Sequence, residues 1–168
     1  MAADRGPLKV GFGGGCHWCT EAVFQTLRGV SRVDQGFCRS EAPHDGWSEA
    51  VIVYFDPDTI AFDVLIAVHL RTHAATSAHK MRGKYRSAIY VSDEIQAQAA
   101  TLALAREQPA FDAPLVTLVL RHRGFRPSQP QFQNYYATRP DRPFCKTYID
   151  PKLAMIRQRF AAQTVDGV

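Results

Sequence analysis

Apolar positions follow two rhythms along this chain, one of strands and one of helices. Leu8 to Phe12, Ser87 to Val91 and Leu115 to Leu120 are short apolar runs, and Glu49 to Phe55 reads Glu-Ala-Val-Ile-Val-Tyr-Phe before stopping at Asp56-Pro57. All four predict strands. Ser31 to Phe37 predicts a fifth, leading into a polar loop from Arg39 to Trp47. Between them the spacing turns helical. Glu21 to Arg28 carries Ala22, Val23, Phe24 and Leu27 and closes at Gly29, and Phe62 to Arg71 carries Phe62, Leu65, Ile66 and Leu70. Asp93 to Glu107 is rich in Ala, Gln and Leu, with Ser92 in the N-cap place. Ala74 to Gly83 reads as a loop, residues 124–151 as a proline-rich irregular tail, and Lys152 to Ala162 as a final amphipathic helix. The order βαββαβαβ predicts an α/β fold, a two-layer sandwich with a mixed sheet, in one domain spanning 1–168.

Composition adds bounds. Hydrophobic residues make up 46% and charged residues 21%, a globular balance. No apolar stretch approaches the ~18 residues of a membrane span, so no membrane partner is expected. Met1 to Gly6 lacks the apolar core of a secretory signal, which points to a cytoplasmic protein. The net charge of +4 gathers in Arg121-His122-Arg123, Arg126 and Arg139-Pro140-Asp141-Arg142. These clusters are short and mixed with acids, the pattern of a solvated face rather than a nucleic-acid site. The four cysteines, Cys16, Cys19, Cys38 and Cys145, are too few for a disulfide scaffold and turn attention to catalysis, redox exchange or metal binding.

The chemistry concentrates in Gly13-Gly14-Gly15-Cys16-His17-Trp18-Cys19-Thr20-Glu21. A glycine-rich turn after a strand delivers Cys16 to a helix N-terminus, where unpaired N–H groups and the helix dipole favour an anion. A thiolate is such an anion, although a structural thiol can occupy the same place.

Gly15-Cys16-His17-Trp18-Cys19-Thr20-Glu21-Ala22-Val23-Phe24 also resembles the active-site signature of the A-type peptide methionine sulfoxide reductases. Ser48-Glu49-Ala50-Val51-Ile52-Val53-Tyr54-Phe55-Asp56-Pro57 and Lys84-Tyr85-Arg86-Ser87-Ala88-Ile89-Tyr90 are similar to that family's second and third blocks, in the same order. The resemblance spans roughly residues 8 to 136. It implies a ferredoxin-like α/β core with a loosely folded C-terminal segment. It also implies reduction of methionine S-sulfoxide, free or in oxidised proteins. Cys16 would attack sulfur and become a sulfenic acid. Glu49 would protonate the leaving oxygen, which at pH 7 requires burial to raise its pKa. Tyr85 would hydrogen-bond that oxygen, and His17 and Trp18 would line the pocket for the substrate methyl group. For Glu21 an early-helix acid complementing the dipole is the better reading.

This sequence departs from the family pattern. His17 stands where Phe is usual, which can stabilise a thiolate or merely pack. The loop Cys38 to Trp47 lacks the family's second substrate tyrosine, and Lys80 replaces an Asp. His73-Ala74-Ala75 stands for His-Asp-Pro, and Gln129 to Gln133 for a Glu-Asp-Tyr-His-Gln run. Losing one oxyanion donor costs roughly 10² to 10³ in rate. Turnover needs a resolving thiol. Cys145, in the tail, stands slightly ahead of Cys19, three positions from Cys16, and Cys38 comes third. No bound cofactor or metal is expected; thioredoxin or another dithiol would act as reductant on a monomer. Three rivals stand beside this reading. A dinucleotide enzyme lacks the last glycine of its fingerprint. A zinc protein lacks a second close cysteine pair. A diverged paralogue would bind oxidised methionine or sense oxidants without turnover.

Overall fold

The computed structural model describes residues 7–165; the segment Met1 to Gly6, on which the reading of a missing secretory signal rests, lies outside the described residues. Strand β1 (Leu8–Gly13) pairs antiparallel with β3 (Ser48–Phe55) on one side and β4 (Ala88–Val91) on the other. Strand β2 (Val30–Arg39) lies outside β3, and β5 (Leu118–Arg121) runs parallel to β4. With β6 (Gly124–Pro127) beyond β2, the six-stranded sheet has the order β5-β4-β1-β3-β2-β6. Its middle four strands, β4-β1-β3-β2, have the antiparallel ferredoxin-like order that the resemblance implies.

Alternation along the strands sorts their side chains between two faces. Val10, Phe12, Val51, Val53, Phe55, Ile89 and Val91 turn toward the helices and form the main core. Helix α1 (His17–Gln25) adds Val23 and Phe24, α2 (Phe62–Leu70) adds Leu65 and Ile66, and α3 (Glu94–Glu107) adds Ala100 and Ala103. The rings of Phe12 and Phe24 stack with centroids 4.8 Å apart. Each large apolar side chain buried here contributes about 1.5–3 kcal/mol. Cys38, Ala50, Ile52, Ala88 and Tyr90 form a separate cluster on the far face.

Several boundaries differ from the sequence pattern. Helix α1 starts at His17, not Glu21, because the polar residues after the glycine turn already take helical backbone directly after Cys16 as N-cap. Asp93 rather than Ser92 caps α3, accepting the Gln96 N–H at 2.8 Å while Gln96 Oε1 accepts the Ser92 N–H at 2.9 Å. The tail is not wholly irregular. It supplies β6, a short helix α4 (Tyr135–Thr138), a π-turn over Cys145–Ile149 and α5 (Asp150–Arg159). Glu21 fastens this tail and does not serve as a solvent-facing dipole acid. It is fully buried, and its Oε1 accepts from Gln35 Nε2 and the Tyr135 N–H, both at 3.0 Å. Its Oε2 accepts the Asn134 N–H at 3.0 Å. Burial pushes the Glu21 pKa up, against the pull of these three donors.

Candidate active site

The glycine turn is held from beneath. His69 Nε2 lies 2.7 Å from the Gly13 carbonyl, and His73 bridges the His69 carbonyl and the Ser87 hydroxyl, both at 2.8 Å. Burial lowers the pKa of both imidazoles, that of His73 to about 4. Gly14 takes φ +157°, and a Cβ there would come within 2.6 Å of the His73 ring nitrogen Nε2. Arg82 gathers the other side: its guanidinium donates to the carbonyls of Gly14 (2.8 Å), Tyr85 (2.9 Å), Ser77 (2.9 Å) and Ala74 (2.5 Å). One cation thus ties the turn that carries Cys16 to the segment that carries Tyr85. Sequence reasoning missed Arg82 and the support role of His69, and it met His73 as the first residue of His73-Ala74-Ala75. Backbone carbonyls, the partners of these side chains, leave no mark in a sequence.

Cys16 is a half-buried free thiol at the N-cap of α1. The Cys19 thiol donates to it, and the N–H groups of Trp18 and Cys19 add to that pull, lowering the Cys16 pKa against burial and the Glu49 charge. Cys19 shows the opposite side of the same bond: donating to Cys16, in a buried place, raises its own pKa. Cys145 is buried, close enough to Cys19 for their charges to interact, and its thiol points to the Arg139 carbonyl at 3.6 Å. Cys38 does not join them. It lies within β2, fully buried on the far face of the sheet, rather than in the loop where the sequence reading put it. Burial raises its pKa to about 12.

Glu49, buried at the start of β3 on the helix-facing side, meets α1 directly. Its Oε1 accepts the His17 N–H at 3.3 Å and lies 3.4 Å from His17 Nε2. Its Oε2 lies 3.7 Å from Lys84 Nζ, which also sits 5.1 Å from the centre of the Tyr85 ring. The structure therefore brings Cys16, His17, Cys19 and Glu49 together, with Tyr85 at the rim. Trp18 is half-buried, stacked on Tyr135 (centroids 4.1 Å apart) and Phe132 (5.7 Å), with Phe144 against its edge. A groove lined by His17, Trp18, Phe37, Arg126 and Phe132 leads from this corner. A second depression, around Gly11, Ile52, Tyr54 and Tyr90, opens on the far face, away from Cys16, Cys19 and Cys145.

Among the described residues no three His, Cys, Asp or Glu side chains converge as a metal-holding group, and no helix is long and apolar enough to cross a membrane. Gly14 and Gly15 serve the turn over His73, so the dinucleotide reading finds no support in them.

The geometry agrees with what known proteins show. The family model for peptide methionine sulfoxide reductase matches residues 8–164. A peptide methionine sulfoxide reductase MsrA of Chromobacterium violaceum is 37% identical, covering 91% of this chain and 96% of its own. One from Deinococcus radiodurans is 34% identical, covering 89% and 80%. Reduced Mxr1 from Saccharomyces cerevisiae shares the fold, with a TM-score of 0.73 at 17% identity over 88% of this chain and 94% of that one. The two bacterial relatives carry reductase names, which does not support the binder or sensor reading over reduction. The chain belongs to the peptide methionine sulfoxide reductase family and is a methionine sulfoxide-reducing oxidoreductase.

Proposed function

We propose that Cys16 is the nucleophile, Glu49 the acid and Tyr85 a hydrogen-bond donor to the sulfoxide oxygen, with His17 and Trp18 bounding the substrate groove. The observation that carries this is the corner itself: a Cys16 thiol polarised by Cys19, set at a helix start whose first N–H is held by Glu49. The Cys16 thiolate attacks the sulfoxide sulfur. The new S–S bond then breaks as the oxygen, protonated through Glu49, passes from the substrate sulfur to Cys16, leaving methionine and a Cys16 sulfenic acid. Sulfur of the substrate is reduced and Cys16 is oxidised by the same two electrons. A second thiol then displaces water and forms a disulfide.

The contact with Cys16 favours Cys19 as the first resolving thiol, reversing the slight sequence preference for Cys145. Oxidation of Cys16 removes the thiolate that Cys19 serves, and with it the main cause of the raised Cys19 pKa. Cys145, near enough to Cys19 for their charges to interact, would take the disulfide onward. Thioredoxin is the reductant this reading adopts; Mxr1, a protein of the same fold, is known in complex with Trx2. Four free thiols suit a reducing cytoplasm, and one chain carries every group, so a monomer suffices. The S epimer follows from the family resemblance.

The test is single-turnover reduction of a methionine sulfoxide peptide, each epimer separately, by the fully reduced protein and by Cys16→Ser. One methionine per protein from the S epimer, abolished in the variant, with thiols lost in pairs, is expected. No methionine from either epimer would overturn the assignment.

A further inference from the structure

His17 Nδ1 lies 2.7 Å from the Gly36 carbonyl on β2. A carbonyl oxygen only accepts, so Nδ1 must carry a hydrogen, and the neutral ring turns its Nε2 lone pair outward. That lone pair faces Glu49 Oε1 at 3.4 Å, in a place where both side chains are buried. Two acceptors so close in a dry corner repel each other unless a proton lies between them. We infer that His17 and Glu49 hold one proton in common, and that His17 is the positioning residue that keeps Glu49 supplied with the proton it gives to the sulfoxide oxygen.

The inference rests on Glu49 being the acid. The proton balance is simple. Before the chemical step the pair holds one proton and Cys16 is a thiolate. Afterwards that proton is on the oxygen now bonded to Cys16, and His17 and Glu49 are left as neutral imidazole and carboxylate until solvent restores the proton. Sharing gives the proton a second site on His17, where burial lowers the imidazole pKa and the Glu49 charge raises it. The other charged groups near the pair are Lys84 against Glu49 and the Cys16 thiolate, while Arg126 lies over the neighbouring Phe37 ring at 5.1 Å. The thiolate favours keeping the proton and the cations favour losing it. A ring with no titratable nitrogen fills the same volume without doing this, and Phe is the residue the family pattern carries here.

The experiment follows the single-turnover rate constant from pH 5.5 to 9 for the wild-type chain, His17→Phe, His17→Asn and Glu49→Gln. Asn keeps a donor for the Gly36 carbonyl and removes Nε2. Both His17 variants are expected to lose about tenfold at pH 8 relative to their own rate at pH 6, the alkaline limb moving down whatever the change in substrate affinity. Superimposable profiles, or limbs that move up, would show that His17 only packs. A Glu49→Gln protein as fast as wild type would remove Glu49 as the acid, a separate failure. Imidazole nitrogen NMR on the reduced wild-type chain guards against variants that fail to fold. Nδ1 should stay protonated throughout, with Nε2 changing along the alkaline limb. A neutral ring protonated at Nε2 would overturn the inference.

Discussion

Replacing Arg82 by Met removes four of the five guanidinium hydrogen-bond donors' partnerships at one stroke. The carbonyls of Ser77 and Ala74 belong to a loop and can turn to water. The Gly14 carbonyl belongs to a buried residue and cannot readily do so, which costs about 1–3 kcal/mol. The Tyr85 carbonyl adds about 1 kcal/mol for a part-buried bond. The expected loss is therefore about 3 kcal/mol, or about 9 °C in melting temperature for a chain of 168 residues. The same change frees the Cys16 turn from the Tyr85 segment. A misplacement worth 1.4 kcal/mol in the transition state slows reduction about tenfold. Arg82→Lys should recover only part of both effects, since an ammonium cannot span carbonyls on several sides. The assay pairs a thermal melt with single-turnover methionine formation. If Arg82→Met melts within about 2 °C of wild type and keeps its rate, water replaces the guanidinium freely and the clamp does not exist.

Two further outcomes follow from the thiols and the buried imidazoles. Cys19→Ala should raise the pH midpoint of Cys16 alkylation by iodoacetamide by about one unit, the worth of one hydrogen bond to a charged sulfur. It should also slow the first turnover below the new midpoint without abolishing its one equivalent of methionine, while suppressing thioredoxin-driven cycling. An unchanged midpoint would assign the thiolate to the backbone N–H groups alone. His73 titrates near 4 in the folded protein and near 6.5 when unfolded, so the unfolded chain binds more protons between those values. Stability should fall as pH drops through that window, by about 2 kcal/mol after allowing for partial exposure of the ring. Urea unfolding at several pH values should show a shallower fall in His73→Gln; identical slopes would refute the cause.

The central strands were legible because β1, β3 and β4 are nearly continuous apolar runs, and Cys16 and Glu49 because their motif blocks sit at strand and helix starts. Strand β6 was not, since Gly124–Pro127 is a short edge segment ending in proline, ordered by pairing with a strand distant in sequence. Glu21 was misjudged for a related reason. An acid in a first helical turn ordinarily faces water, and only the folded tail brings the Asn134 and Tyr135 amides to it. The preference between Cys145 and Cys19 turned on contact, which spacing along the chain does not report.

The isolation of Cys38 gives the molecule a built-in gauge. The sheet stands between it and the other three sulfurs, so local fraying of the active-site corner leaves it hidden, whereas release of the edge strand β6, whose Phe125 pairs with Cys38, uncovers it. A thiol reagent reaches it when β6 leaves the sheet edge or the sheet itself opens. Its labelling rate therefore reads the opening of the far face, while the remaining cysteines report motions of the active-site side.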